Sequence, residues 1–316
     1  MIEELKKIGL EARENVALRD YTTFKIGGPA KFFVVVNNKA NLFKALQAAK
    51  KFNLPFFILG GGSNVLIADR GFNGLVIKLQ EGEVKFKGNQ ITVFAGNNWA
   101  GFVRKTIEAG FGGLEFGANI PGTVGGAVFG NAGAYGKGAG DFVESAEAII
   151  VDDEVRLKIF DKEECQFAYR ESIFKKHKDW IIAELAFKLE KDEKAAEKLV
   201  QIQREYSERR AKQPLDFPSA GSSFKNVLYS DELSPFKEWQ QYGKIPAARF
   251  IEEAGLKGAK IGGAMVSGKH ANFVVNAGGA SADDVARLID LVKTKVREKF
   301  GVQLEEEVQL IGFRNR

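Results

Sequence analysis

The chain has 316 residues, 45% apolar and 28% charged, which suits a globular protein with two or three cores; no run of about 18 apolar residues marks a membrane span. One cysteine, Cys165, excludes an internal disulfide, and one Cys with two His supplies too few preferred ligands for a structural zinc, so no metal is expected. The net charge of +5, from 46 Lys+Arg against 41 Asp+Glu, is too small and dispersed for a nucleic-acid stripe but suits an anionic small molecule.

In chain order, the charged N-terminal stretch 1–16 lacks the apolar centre of a secretory signal, so a cytoplasmic location without a membrane partner is expected. Residues 32–36 (FFVVV) are an apolar run of strand length. Residues 41–52 carry Leu42, Ala45, Leu46 and Ala49 at helical spacing, and Pro55 separates them from a second strand at 56–59. Gly60, Gly61, Gly62, Ser63 and Asn64 follow, then an apolar run at 65–68 and a third strand at 75–79. A second segment opens near residue 80 with a strand at 91–95 and a helix at 98–109. Nine glycines then fall between Gly117 and Gly140. Strands are expected at 146–151, 155–160 and 180–189, and a helix over 191–212 ended by Pro214. The third segment holds a Ser/Gly turn at 218–223, a helix around 247–254, a strand at 272–275, a helix over 281–300 and a strand over 302–312. No fixed-period repeat is visible. The pattern predicts an α+β chain with mixed sheets.

Neither glycine cluster fits the G-x-G-x-x-G dinucleotide fingerprint, and the Walker and G-x-S-x-G patterns are absent. The Gly60–Asn64 run is either a tight turn between strands or a set of convergent amides for phosphate oxygens. The stretch from Ile120 to Tyr135 has glycine wherever bulk would obstruct, with apolar residues between. That suits a ligand with an extended diphosphate and a flat apolar ring, or else a packed loop with positive-φ corners.

Four stretches carry residues with chemistry. Arg170, in Tyr169-Arg-Glu-Ser-Ile-Phe, is either an oxyanion or enolate stabiliser or the partner of Glu171. Arg209, Arg210 and Lys212 either complement a helix C-terminus or clamp a diphosphate or carboxylate. Ser222 and Ser223 are turn hydroxyls or a proton source for a carbanion. In Leu304-Glu-Glu-Glu-Val308, strand alternation puts Glu305 and Glu307 on one face and Glu306 on the other, with Leu304 and Val308; a solvated charge run has the same spacing.

Read together, Tyr21-Thr-Thr-Phe-Lys-Ile-Gly-Gly, Leu59-Gly-Gly-Gly-Ser-Asn-Val-Leu, Ile120-Pro-Gly-Thr-Val-Gly-Gly, Asn131-Ala-Gly-Ala-Tyr-Gly, the Arg170 stretch, Ala220-Gly-Ser-Ser-Phe-Lys-Asn, Gly255-Leu-Lys-Gly, Ile261-Gly-Gly-Ala and Leu304-Glu-Glu-Glu-Val closely resemble, in order, the UDP-N-acetylenolpyruvoylglucosamine reductase (UDP-N-acetylmuramate dehydrogenase) family. The resemblance spans residues 21–312. It implies an α+β fold with a two-part FAD-binding region of the vanillyl-alcohol-oxidase type and a C-terminal α+β substrate-binding domain. Its divisions would be 1–79, then 80–213 joined by the C-terminal strand 302–316, then 214–301. It also implies a cytoplasmic, monomeric oxidoreductase of peptidoglycan synthesis, and so of cell-wall biogenesis, cell shape and cell division.

The implied chemistry is reduction of bound FAD by NADPH and reduction, in turn, of UDP-N-acetylglucosamine enolpyruvate to UDP-N-acetylmuramate. Hydride passes from flavin N5 to C3, Arg170 and Glu307 stabilise the enolate, and Ser222 protonates C2. Gly60, Gly61, Gly62, Ser63, Asn64, Pro121, Gly122, Thr123, Gly125, Gly126, Asn131, Gly133 and Ala134 would line the cofactor. Arg209, Lys212, Asn226, Lys257 and His270 would contact the UDP-sugar. The sequence departs from many family members at Val227 and Gly268 and in the longer stretch 231–244, where Tyr229 or Tyr242 is a candidate for the tyrosine that covers the substrate in one branch.

Overall fold

The computed structural model describes residues 1–211 and 213–313; the side chains of Arg209 and Arg210 fall outside that description. The chain divides into two units, one of Met1–Val16, Ala30–Gly61 and Asn73–Ser207, the other of Ala17–Pro29, Gly62–Phe72 and Glu208–Arg316. Mixed helix and strand fill both, as the α+β expectation requires.

The first unit holds two larger sheets and a two-stranded ladder of Gly133–Ala134 with Lys137–Gly138. In the four-stranded one the order is Ala12–Ala17, Pro29–Val36, Phe72–Leu79 and Phe56–Leu59. Its last two strands run parallel, with Leu59 opposite Lys78. The Lys39–Lys51 helix starts where the Asn38 side chain accepts the Asn41 amide at 2.8 Å, and it buries Leu42, Ala45, Leu46 and Ala49 on one stripe. Lys39 at its start is paired with Glu147 at 2.5 Å and with Glu184, from two strands of the second sheet. That sheet is antiparallel throughout, in the order Val155–Asp161, Val143–Val151, Trp180–Lys188, Gln90–Phe94 and Val84–Lys87. Against it lies the Trp99–Glu108 helix, capped by Asn98, with Trp99 and Phe102 packed on Phe187 at centroid distances of 6.1 and 5.1 Å. A six-residue helix, Val124–Phe129, stands inside the glycine-rich stretch, which carries too little side-chain periodicity to announce it.

The second unit is organised by the Ala282–Phe300 helix. Ser281 and Asp284 form a capping box at its start, Gly301 ends it in the left-handed region at φ 70°, and Val285, Leu288, Ile289, Val292 and Val296 are buried. It packs on a three-stranded sheet of Lys260–Ile261, Ala264–Val266 and Val274–Asn276. The longer stretch 231–244 earns its place by packing: Phe236 and Trp239 lie 5.3 and 5.4 Å from Phe250, centroid to centroid.

Three expectations change at the level of pairing. The final strand, Gln309–Ile311, pairs in parallel with Val65–Ile67 in the second unit, not with the sheet of 80–213. Residues 304–308 are not a continuous strand: Glu306 makes a single bridge with Phe224, and the ladder starts only at Gln309. The segments 17–29 and 62–72, read from sequence as part of the first 79 residues, fold with the second unit, because the Thr23 hydroxyl bonds the Ser219 carbonyl, Val65–Ile67 pairs with Gln309–Ile311 and Asp69 accepts the Ala282 amide.

Candidate functional site

In the first unit the strand Phe56–Leu59 runs straight into Gly60 and Gly61. A Cβ on Gly61 would lie 2.7 Å from the Gly122 Cα, so the two glycine segments approach each other backbone to backbone. Thr123 caps the Val124–Phe129 helix by accepting the Gly126 amide at 3.2 Å. Val124 and Gly125 donate to Asn97 and Ala95 carbonyls at 2.8 Å each, so these first-turn amides, Gly126 included, are engaged within the protein. Gly133 and Ala134 pair with Gly138 and Lys137 in a two-residue ladder. Asn119, two residues before Pro121, has its Nδ2 buried with no acceptor among the described residues. A cofactor with diphosphate and carbonyl oxygens supplies such an acceptor, and the chemistry of this lining fits FAD.

Arg170 sits in the same unit, in a tight turn. The Ala168 and Glu171 amides exchange bonds with each other's carbonyls at 3.1 Å, and Arg170 itself has φ 57°. A non-glycine residue held there costs about 1 kcal/mol or more and persists only when its neighbours fix it. The neighbours do so here. Lys175 Nζ donates to the Arg170 carbonyl at 2.8 Å, and Asn131 Nδ2 donates to the Ala168 carbonyl at 2.8 Å while its Oδ1 accepts the Gly140 amide at 2.9 Å. Arg170 Nη1 in turn reaches the Gly133 carbonyl at 3.4 Å. The arginine and the second glycine cluster are therefore one local construction, and the side chain of Asn131 is spent on building it. Glu171 lies 3.6 Å from Lys175.

Gly62, Ser63 and Asn64 belong to the second unit. Gly62 has φ 66°, and a Cβ there would stand 2.0 Å from the Tyr21 carbonyl oxygen. Thr23 braces the turn, its amide bonding the Gly62 carbonyl at 3.0 Å and its hydroxyl the Ser219 carbonyl at 2.7 Å. Asn64 Nδ2 donates to the Glu307 carbonyl at 3.0 Å, and the Gln309 amide returns to the Asn64 carbonyl at 3.0 Å.

Ser222 follows Gly221, which has φ 77°, and both are half-buried. The next two residues are locked. Asn272 accepts the Ser223 amide on its backbone carbonyl at 2.7 Å and the Phe224 amide on Oδ1 at 3.0 Å, and its Nδ2 donates to the Phe224 carbonyl at 2.9 Å. The Glu307 amide donates to the Ser223 carbonyl at 2.9 Å. That bond joins Glu307 to the residue that follows Ser222. The acidic run divides by environment: Glu305 is exposed and takes Lys225 at 2.6 Å, Glu306 is half-buried on Lys293 at 2.8 Å, and Glu307 is half-buried beside the serine segment.

Of the expected substrate set, Asn226 uses Oδ1 to accept the Ala247 amide at 3.2 Å at the start of the Ala247–Glu253 helix. Lys257 is exposed and paired with Glu252. His270 accepts the Asn272 amide on Nδ1 at 3.3 Å and stands edge-on to Phe273. Lys212 and the Arg209 side chain lie outside the described residues. Tyr229 is half-buried against the core, whereas Tyr242 is 89% exposed on the turn between the Val227–Leu228 and Lys244–Ile245 strands. Two residues with a part in these constructions carry no sequence signal: Asn272 and Lys175. Each acts through a backbone carbonyl or amide brought close only by the fold.

Residues 213–311 match the family described as UDP-N-acetylenolpyruvoylglucosamine reductase, C-terminal domain, and residues 30–157 match an FAD binding domain. A reductase of that name from Lachnoclostridium phytofermentans is 40% identical over 320 residues, covering 99% of this chain and 97% of the relative. The chain belongs to the UDP-N-acetylenolpyruvoylglucosamine reductase family. The reductase from a Thermotoga species (strain RQ2) is 41% identical over 312 residues, covering 98% and 97%. The crystal structure of the Thermus caldophilus reductase superposes with a TM-score of 0.74 at 33% identity, covering 96% of this chain and 98% of that one. The family's members are oxidoreductases, and the recognised resemblance and the fold class, an FAD-binding region followed by a C-terminal reductase domain, both stand. No helix among the described residues is long and apolar enough to cross a membrane.

Proposed function

We propose that the protein reduces UDP-N-acetylglucosamine enolpyruvate to UDP-N-acetylmuramate with NADPH as reductant, as a cytoplasmic monomer in peptidoglycan precursor synthesis. FAD, when bound, supplies the hydride that reaches C3 of the enolpyruvyl group. The chain's own residues do the rest. Residues of the two glycine segments, Gly60 to Asn64 and Pro121 to Ala134, hold the cofactor, some by lining it and some, as Asn131 does, by shaping the backbone that lines it. Arg170 and Glu307 stabilise the enolate at C2 and the carboxylate, a permanently charged guanidinium opposing the developing negative charge. For Glu307 this requires a protonated or strongly hydrogen-bonded carboxyl group. Ser222 then delivers the proton to C2. Arg209, Lys212, Asn226, Lys257 and His270 receive the UDP-sugar. The proposed functional divisions keep an FAD-binding region within 1–213 and a substrate-binding domain over 214–301, with the segments 17–29 and 62–72 packed on the second unit.

The observation that supports this reading is the hydrogen bond from the Glu307 amide to the Ser223 carbonyl at 2.9 Å, which ties the backbone of the serine segment to that of the glutamate in a chain of this family. An anaerobic absorbance titration tests it. Flavin bands that bleach with NADPH and return on adding UDP-N-acetylglucosamine enolpyruvate are the expected result. Bands that bleach but do not return refute the substrate, and bands that never bleach refute NADPH as reductant.

A further inference from the structure

Lys78 stands on the Phe72–Leu79 strand opposite Leu59, the residue before the glycine turn. Its Nζ donates to the Gly60 carbonyl at 2.7 Å and to the Leu79 carbonyl at 3.0 Å. The side chain is half-buried, and among the described residues no carboxylate pairs with it. Elsewhere in the chain, Lys39, Lys158, Lys175 and Lys293, all half-buried, and the buried Lys225 each have an acidic partner. A partly desolvated ammonium held by two neutral carbonyls is short of counter-charge. Burial accordingly holds its pKa below the ordinary lysine value. The neighbouring Gly60–Gly61 backbone is built for close approach, with the Gly122 Cα 2.7 Å from where a Gly61 Cβ would be. A lysine with an unmatched charge, fixed to the first carbonyl of such a turn, is matched by a diphosphate.

We infer that Lys78 is a cofactor-binding residue, supplying the positive charge that holds the diphosphate of FAD at the Gly60–Gly61 turn. The inference rests on the proposed use of that turn for FAD. It assigns to one side chain a job that the glycines cannot do, since backbone amides carry no net charge. The lysine is a point charge with three donors, two of which are engaged by the carbonyls that orient it.

The test uses flavin-stripped protein and FAD itself. Wild type, Lys78→Arg and Lys78→Met are titrated with FAD by fluorescence quenching, and the 31P spectrum of the bound cofactor is recorded at saturation. Lys78→Met is expected to weaken FAD about 10- to 100-fold, the range for losing a charge-assisted bond, and to move the diphosphate 31P signals while the visible flavin spectrum stays as in wild type. Lys78→Arg, which keeps the charge, is expected to recover most of the affinity. A Lys78→Met protein that binds FAD as wild type does, or one that weakens FAD with unmoved 31P signals, overturns the inference: the lysine then serves only to hold the turn. If wild type takes up no FAD at all, it is the use of the turn for FAD that fails, and that outcome is read before any variant is compared.

Discussion

Replacing Asn272 by alanine removes one side chain from behind the proposed proton donor without touching Ser222 or Glu307. Asn272 is 3% exposed and Phe224 is 1% exposed. The substitution deletes the acceptor of the Phe224 amide at 3.0 Å and the donor to its carbonyl at 2.9 Å. Each buried peptide group left without a partner costs about 1–3 kcal/mol, so about 2–6 kcal/mol in all, the lower end applying if a water enters. At roughly 2–4 °C per kcal/mol the melting temperature falls measurably, and the fold survives where the starting stability is the usual 5–15 kcal/mol. The consequence for catalysis is specific. The backbone bond from the Ser223 amide to the carbonyl of residue 272 at 2.7 Å remains, but the 222–224 segment loses its lateral clamp, and a misplacement of about 1 Å in a reacting group costs on the order of 10²-fold. Anaerobic stopped-flow separates the two half-reactions. Flavin reduction by NADPH is expected to stay within about twofold of wild type, and reoxidation by the enolpyruvyl substrate to slow by about 10- to 100-fold. Equal slowing of both halves, or wild-type reoxidation in a variant that shows the predicted loss of stability, refutes Asn272 as the residue that positions the serine.

Ser222→Ala is expected to lower turnover by about 10²–10⁴-fold while flavin reduction by NADPH continues, because the hydroxyl serves only the proton transfer that follows hydride delivery; wild-type turnover would remove the serine from the mechanism. Cys165 is fully buried and its thiol is pushed up to about 12 by burial, reinforced by Asp161 and Glu164, so only about one molecule in 10⁴ carries the thiolate at pH 8. Iodoacetamide is expected to leave it unlabelled in native protein and to label it promptly in denaturant. Lys39 is held above the ordinary lysine pKa: burial opposes the shift, and the bonds to Glu147 and Glu184 outweigh it. A cation whose folded pKa is raised contributes stability that is fully present below its unfolded pKa of about 10.4 and is lost as pH rises through the folded value. The melting-temperature gap between wild type and Lys39→Met is therefore expected to be level from pH 7 to 9 and to shrink only above pH 10; a gap that closes near neutrality contradicts the assignment.

Much of this architecture is legible in the sequence wherever one element carries its own signal. The Lys39–Lys51 helix declares itself through Leu42, Ala45, Leu46 and Ala49, and the Ala282–Phe300 helix through Ser281, Asp284 and Gly301, because caps and stripes are local. What fails is whatever depends on a partner far along the chain. Residues 304–308 alternate like a strand, yet their neighbour across the bridge is Phe224, and pairing partners leave no mark on periodicity. The Val124–Phe129 helix is hidden for the opposite reason: its glycines suppress the stripe by which a helix is recognised.

The glycine clusters show how far composition goes in naming a site. Glycine there does permit close backbone approach, and much of that approach is protein to protein. Gly61 faces Gly122, and Gly62 faces Tyr21. The side chains of Asn64 and Asn131, polar and placed where a ligand contact is expected, are instead committed to the Glu307 and Ala168 carbonyls. Asn64 thereby ties the first glycine turn to the backbone of Glu307, proposed for the enolate, and Asn131 ties the second cluster to the turn that carries Arg170, proposed for it. A motif that lines a cofactor and also sets the posture of the reacting residues constrains each position twice.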